Sequence, residues 1–330
     1  MFSTSTQSKS WMFNNEDDLN KLRESANLKH IQTYGRHINE AARYDYFLTA
    51  EEEKIMVKRY EIRLRDFCKR FQPPMTRCVI GTAFHYFKRF YIHNSVMNHH
   101  PKEIMVTCIY LACKVEEFNV SIQQFVGNLK GDREKATDII LNNELLLMEQ
   151  LNFHLSIHNP FRPVEGLLID IKTRCTLNDP ERLRPGTEHF LERAFLTDVV
   201  LLYSPSQVAL AAVLHAASKL QENLDSYVTD TLFGVEGRGK LEELIEAVRA
   251  IRSMVKMVDA TPDRNQQKLL DKKLEKCRNP ENNPDSEIYK KRMQALLDED
   301  DDLYHTISST SDSLNTSALN MSVCASPEVT

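Results

Sequence analysis

Glycine is scarce in this chain, nine residues in 330, and prolines number twelve. So few turn-formers, with long segments of 3.6-residue period, predict an all-α protein. No apolar run reaches the roughly 18 residues that a membrane span requires. The opening MFSTSTQSKSWMF also lacks the continuous apolar core of a signal peptide. A soluble, intracellular chain is the expectation. Excess charge is missing too: the formal net charge of −5 supplies no general attraction to nucleic acid or to an anionic bilayer. The seven cysteines, at 68, 78, 108, 113, 175, 277 and 324, form no CxxC. Several lie in apolar helical stretches and read as small buried hydrophobes in a reducing compartment. No GxGxxG, Walker loop, HExxH or GxSxG occurs, so no cofactor and no catalytic activity of its own are expected.

What is present is a series of helices. EDDLNKLRESANLKHI (16–31) starts from Asn14 or Asn15 as a cap, and EEEKIMVKRYEIRLRDFCKRF (51–71) runs from a Thr49 cap to a Pro73-Pro74 stop. Segments 76–94, 101–114, 121–129 and 133–151 follow, and five helices with short connections predict one compact domain. HNPFRPVEG (158–166), with two prolines and a glycine, reads as a domain boundary. Helical patterning then resumes at 165–172, 188–203, 205–220 and 240–258, with a polar helix at 264–277 after Thr261-Pro262. The expected organisation is an N-terminal helix and connection (1–48), two helical domains (49–157 and 158–258), a C-terminal helix (259–280) and a disordered tail (281–330). The acidic run DEDDD (298–302) and eleven serines and threonines among residues 303–330 cannot bury enough apolar area to offset chain entropy.

The two domains echo each other. Aligning Pro101 of PKEIMVTCIYLACK with Pro205 of PSQVALAAVLHAAS matches Ile104 with Val208, Cys108 with Ala212, Ile109 with Val213 and Ala112 with Ala216. The small pairs are four residues apart, on one helix face, where neighbouring helices can approach closely. Lys114 has no counterpart; Ser218 stands in its place. A lysine ending so apolar a helix needs a partner or an exposed position. Glu144, just before Leu145–Met148, poses the same problem. Three readings remain open: an internal ion pair, simple exposure, or a groove in which both residues hydrogen-bond a partner's backbone.

LACKVEE followed some thirty residues later by ELLLMEQLNFHL resembles the cyclin box. GTAFHYFKRFYIHNSVM, the N-terminal WMFNNEDDLNKLR and YSPSQVALAAVL extend that resemblance to the cyclin family over roughly residues 8–258. The resemblance implies two tandem five-helix cyclin folds flanked by N- and C-terminal helices. It implies that Lys114 and Glu144 contact a partner kinase, with Val115, Glu117 and Phe118 after the lysine and Met148, Phe153 and Leu155 after the glutamate. It further implies a cyclin-dependent kinase as partner, within the CDK-activating kinase. The ménage-à-trois assembly factor would be a third subunit, the TFIIH core an assembly partner, and the nucleus the location; no direct nucleic acid or membrane is expected. Such a complex phosphorylates activation loops of other cyclin-dependent kinases and, within TFIIH, the C-terminal repeat domain of RNA polymerase II. Cell-cycle cyclins carry an MRAIL-type substrate-docking patch on the first helix of the box; EEEKIMVKRYEIRL lacks it. Other transcriptional cyclins, and a TFIIB-like DNA-binding factor built on the same folds, are the alternatives. The second would call for an N-terminal zinc ribbon that these cysteines do not supply.

The remaining candidates are weaker. The histidines of HNSVMNHH (93–100) lie in an interhelix turn without cysteine or paired carboxylate at ligand spacing, so no metal is expected. KRFY (88–91) and the lysines near 272 and 290 read as solvated basic faces. Thr261-Pro262 and Ser326-Pro327 have the form of proline-directed phosphosites.

Overall fold

The computed structural model describes residues 1–295 except 176, 178, 234–237 and 260–263. Thr261-Pro262, the acidic run 298–302 and Ser326-Pro327 lie outside the described residues. Helices α1 (Thr6–Ser10), α2 (Glu16–Tyr34) and α3 (Glu40–Tyr46) precede a five-helix unit. That unit comprises α4 (Ala50–Arg70), α5 (Arg77–His93), α6 (Pro101–Val115), α7 (Ile122–Gly127) and α8 (Arg133–Gln150). A second unit holds α9 (Phe161–Arg174), α10 (Arg184–Ala194), a short α11 (Val199–Leu202), α12 (Pro205–Lys219), a π-helical stretch Tyr227–Phe233 and α13 (Arg238–Lys256). Helix α14 (Arg264–Cys277) follows, and no strand occurs among the described residues.

The caps explain where helices begin. The Asn15 side chain accepts from Asp18 N–H at 2.8 Å, and Thr49 and Glu52 form a reciprocal capping box. Proline opens both α6 and α12 at positions that need no N–H donor.

Helix α6 is buried on nearly every side and packs against α4, α5 and α8; α12 packs against α9, α10 and α13. Cys108, Ala112, Ala212 and Ala216 are all buried, as the internal echo predicts. The echo extends to the helix ends. After α6, Glu117 adopts a left-handed φ of 55° and Phe118 N–H donates to Cys113 O at 2.9 Å. After α12, Gln221 adopts φ 58° and Glu222 N–H donates to Ala217 O at 3.0 Å. Both are left-handed caps that satisfy a terminal carbonyl without glycine.

The structure corrects several expectations. Helix α9 starts at Phe161 rather than at 165, and Pro163 is tolerated because it lies in the first turn. The helix expected over 188–203 is two, α10 and α11, separated by Phe195–Asp198. Thr197 Oγ1 donates to Ala194 O at 2.6 Å and accepts from Val199 N–H at 3.2 Å, replacing helical bonds across the break. KRFY is not a solvated patch. Lys88 and Arg89 are buried, because Lys88 Nζ pairs with Glu61 at 2.6 Å and Arg89 lies beneath the Trp11 ring, 5.0 Å from its centroid. The histidines have structural places: the His93 ring lies tilted beside Trp11 with centroids 6.3 Å apart, His99 is buried, and the His100 side chain caps α6.

Among the described residues, those from Asn279 onward form a unit of their own. Part of the stretch expected to be disordered is helical, over 287–295, where the Ser286 hydroxyl accepts from Tyr289 N–H at 3.1 Å as a cap. The rest of that tail, 296–330, lies outside the described residues.

Candidate partner-binding site

The end of α6 and the outer face of α8 meet at Lys114 and Glu144. Lys114 Nζ lies 2.6 Å from Glu144 Oε1, and the two side chains are 51% and 13% exposed. The ammonium also stands 5.7 Å from the centroid of the Tyr110 ring. The lysine therefore escapes the apolar core by emerging at the last turn. Two of the three sequence readings hold together: the pair exists, and it is open to solvent. An ion pair this exposed is worth only about 0–1 kcal/mol to the fold.

Glu144 stands within an apolar stripe. Leu141, Glu144, Leu145 and Met148 fall at i, i+3, i+4 and i+7, one face of α8. Leu141 and Leu145 are about half exposed and Met148 is half-buried, while Ile140 and Leu147 hold α8 to the core. Leu141 and Leu145 were not singled out in the sequence; the signal that points to them as candidates is this spacing around Glu144.

The stripe continues past the C-terminus of α8. Asn152 and Phe153 both take left-handed conformations, φ 51° and 56°, and Phe153 N–H donates to Met148 O at 2.9 Å. Left-handed φ is uncommon for a bulky aromatic and costs roughly 1 kcal/mol. It turns the Phe153 side chain outward, leaving it 59% exposed. Leu155 is half-buried, and its carbonyl accepts from Tyr86 Oη at 2.6 Å.

Of the other residues singled out, Val115 and Phe118 are half-buried and pack on the core, with the Phe118 ring 6.4 Å from that of Phe71. Glu117 is exposed and contributes the left-handed cap that ends α6. The result is an apolar surface with one ion pair at its edge. It suits a helical or extended partner segment with apolar side chains and free backbone polar groups.

Two five-helix units, each centred on a proline-started buried helix, define a tandem cyclin-fold protein. The profile of the cyclin N-terminal domain matches residues 36–156 and that of the cyclin C-terminal domain matches 159–256. Cyclin-H of Xenopus laevis is 44% identical over 286 residues, covering 85% of this chain and 88% of that protein. Probable cyclin-H of Echinococcus multilocularis is 32% identical over 317 residues, 87% of this chain and 94% of its own length. The chain belongs to the cyclin family, in its cyclin-H group. Among solved structures, a chain of the yeast TFIIK (Kin28/Ccl1/Tfb3) complex is 28% identical, with TM-score 0.61, over 77% of this chain and 99% of that one. A chain of the Chaetomium thermophilum CAK complex bound to ATP-gamma-S superimposes with TM-score 0.76 over 99% of this chain; at 23% identity it attests the fold.

Proposed function

We propose that this chain is the regulatory, non-catalytic cyclin subunit of a CDK-activating kinase. Residues 49–157 form the kinase-binding fold and 158–258 the second. The observation that carries this reading is the exposed surface of Leu141, Leu145 and Phe153 beside the Lys114–Glu144 pair. It lies on the elements where the family resemblance puts kinase contacts. The relative in the TFIIK complex is solved together with Kin28 and Tfb3. By analogy the chain assembles with a cyclin-dependent kinase and a ménage-à-trois-type assembly factor, joins the TFIIH core in the nucleus, and supports activation-loop and RNA polymerase II C-terminal-domain phosphorylation.

The physical task is to shift an equilibrium. A protein kinase positions ATP only when its β3 lysine is paired with the glutamate of its C helix. A partner favours that arrangement only by binding it more tightly than the alternative, and reversing a 1:99 population takes about 5.5 kcal/mol. Fully burying a Leu or Phe is worth roughly 1.5–3 kcal/mol, and Leu141, Leu145 and Phe153 each begin about half exposed. Together they supply a sizeable part of that difference. Lys114 and Glu144 fix register and orientation more than they add affinity. The test is co-purification and activation of the kinase subunit with Glu144→Ala and Leu145→Arg. Either variant should retain its thermal midpoint and lose activation; wild-type activation by both would sink the assignment.

A further inference from the structure

The docking surface ends in a segment of chain, 154–158, that has no secondary structure of its own. It is held from behind by the N-terminus. Trp11 Nε1–H donates to His154 Nδ1 at 3.0 Å. Gln7 grips the backbone of His158 twice: its Oε1 accepts from His158 N–H at 2.7 Å and its Nε2 donates to His158 O at 3.4 Å. Arg89 Nη1 donates to His154 O at 3.2 Å from beneath the Trp11 ring. Burial there pulls the guanidinium pKa down to about 9. Gln7 and Trp11 are almost wholly buried, although they lie within eleven residues of the chain start.

These ties are not generic apolar contacts. They converge on His154 and His158, and Tyr86 adds its bond to Leu155 O. Phe153, immediately upstream, needs such support, because a left-handed bulky residue persists only where its surroundings over-determine it.

We propose that Gln7 and Trp11 are positioning residues of the docking surface, a strap that clamps 154–158 and so holds Phe153 and Leu155 in the geometry a partner kinase meets. This rests on the docking reading above. The competing explanation is that the N-terminus merely packs there for stability.

The test compares Gln7→Ala, Trp11→Phe and Trp11→Ala in the full chain, alone and combined with Phe153→Ala. Affinity is measured by titration against the recombinant kinase catalytic subunit. Trp11→Phe keeps a ring over Arg89 and loses only the N–H donor. Losing one hydrogen bond should weaken binding about 2- to 10-fold, with Trp11→Ala worse and Trp11→Phe partly rescued relative to it. On a Phe153→Ala background the further loss should shrink, leaving only the part that acts through Leu155. In the free Gln7→Ala chain, amide exchange at 154–158 should speed up. Emission from the single tryptophan of the sequence reports whether the strap is still docked. Unchanged exchange, unchanged affinity, or a loss that adds in full to that of Phe153→Ala would each overturn the strap. If Phe153→Ala itself binds like wild type while exchange at 154–158 still responds to Gln7→Ala, the docking reading fails and takes the strap's role with it.

Discussion

Arg23 and Asp198, 175 positions apart in sequence, form a two-pronged ion pair with N–O distances of 2.7 and 2.9 Å. Asp198 sits in the break between α10 and α11, and Arg23 comes from α2. The same carboxylate lies 3.6 Å from Lys88, which is in turn paired with Glu61 at 2.6 Å. One network thus joins α2, helices α4 and α5 of the first fold and the α10–α11 break of the second. A cleft of about 600 Å³ opens beside it.

Asp198→Asn should destabilise the chain by about 3–5 kcal/mol, because it leaves Lys88 and Arg23 without their shared counter-charge in a desolvated site. Burial alone would raise the Asp198 pKa, but Lys88 and Arg23 outweigh it and hold the carboxyl well below the usual range. A depressed folded-state pKa contributes stability above the unfolded value near 4, lost as the pH falls below it. Urea midpoints recorded from pH 6 downward should therefore drop more steeply in wild type than in Asp198→Asn.

Glu53 carries the opposite sign. Its carboxyl is buried, accepts from Ser95 Oγ at 2.5 Å and from Asn27 Nδ2 at 3.1 Å, and burial raises its pKa to about 7. The folded state then holds a proton that the unfolded state has released, so this group's contribution falls as pH rises from about 4.5 to about 7. His30 and His99, lowered to about 4 chiefly by burial, work the other way and lose stability as pH falls below 6.5. Glu53→Gln keeps the acceptor for both hydrogen bonds. The difference between wild-type and Glu53→Gln unfolding free energies should grow in favour of the variant from pH 5 to pH 8 and then level off. A flat difference would refute the buried-proton account.

Phe153→Gly should move stability and binding in opposite directions. Glycine adopts the φ of 56° without penalty, so relieving it is worth up to about 1 kcal/mol in the free chain. The same substitution removes a 59% exposed aromatic from the proposed docking surface. Thermal denaturation should show a midpoint no lower than wild type, while kinase activation falls.

Helix α14 is fastened largely by charge. Arg59 holds Asp271 at 2.8 Å, Lys273 holds Glu52 at 2.8 Å, and Arg278 holds Glu103 at 2.6 Å, around the buried Leu270, Leu274 and Cys277. Partly exposed pairs weaken as the Debye length shrinks from about 10 Å at 0.1 M to 3 Å at 1 M salt. Limited proteolysis within 264–278 should accelerate in 1 M salt, and Arg59→Ala should reproduce that acceleration at low salt. Cleavage independent of salt would contradict an electrostatic latch.

Particular residues show how far sequence reading reached. The α6 and α12 cores were legible because an apolar helix flanked by proline and ending in charge has few other uses, and the Lys114–Glu144 pairing was among the readings weighed. Leu141 and Leu145 were not recognised as exposed, since an apolar residue on a helix is more often core. Lys88 and Arg89 were misjudged because their counter-charges and cover lie on other elements: Glu61 and Asp198 for Lys88, 27 and 110 positions away, and Trp11 for Arg89, 78 positions away.

Local chemistry determined most of the helices, the caps at Asn15 and Thr49 and the repeated central helix, while the family was legible only as a resemblance carried by whole motifs such as LACKVEE and ELLLMEQLNFHL. Periodicity, capping residues and N-terminal prolines act within a few residues of themselves. The tertiary structure decided where α10 ends, which basic residues are buried, and how Phe153 is turned outward. Each of those is completed by distant groups as well as near ones: Arg23 reaches Asp198 in the α10–α11 break, Asp198 reaches Lys88, and Trp11 and Arg89 reach His154 beside Phe153. A desolvated charge or a strained φ persists only when such distant partners are in place.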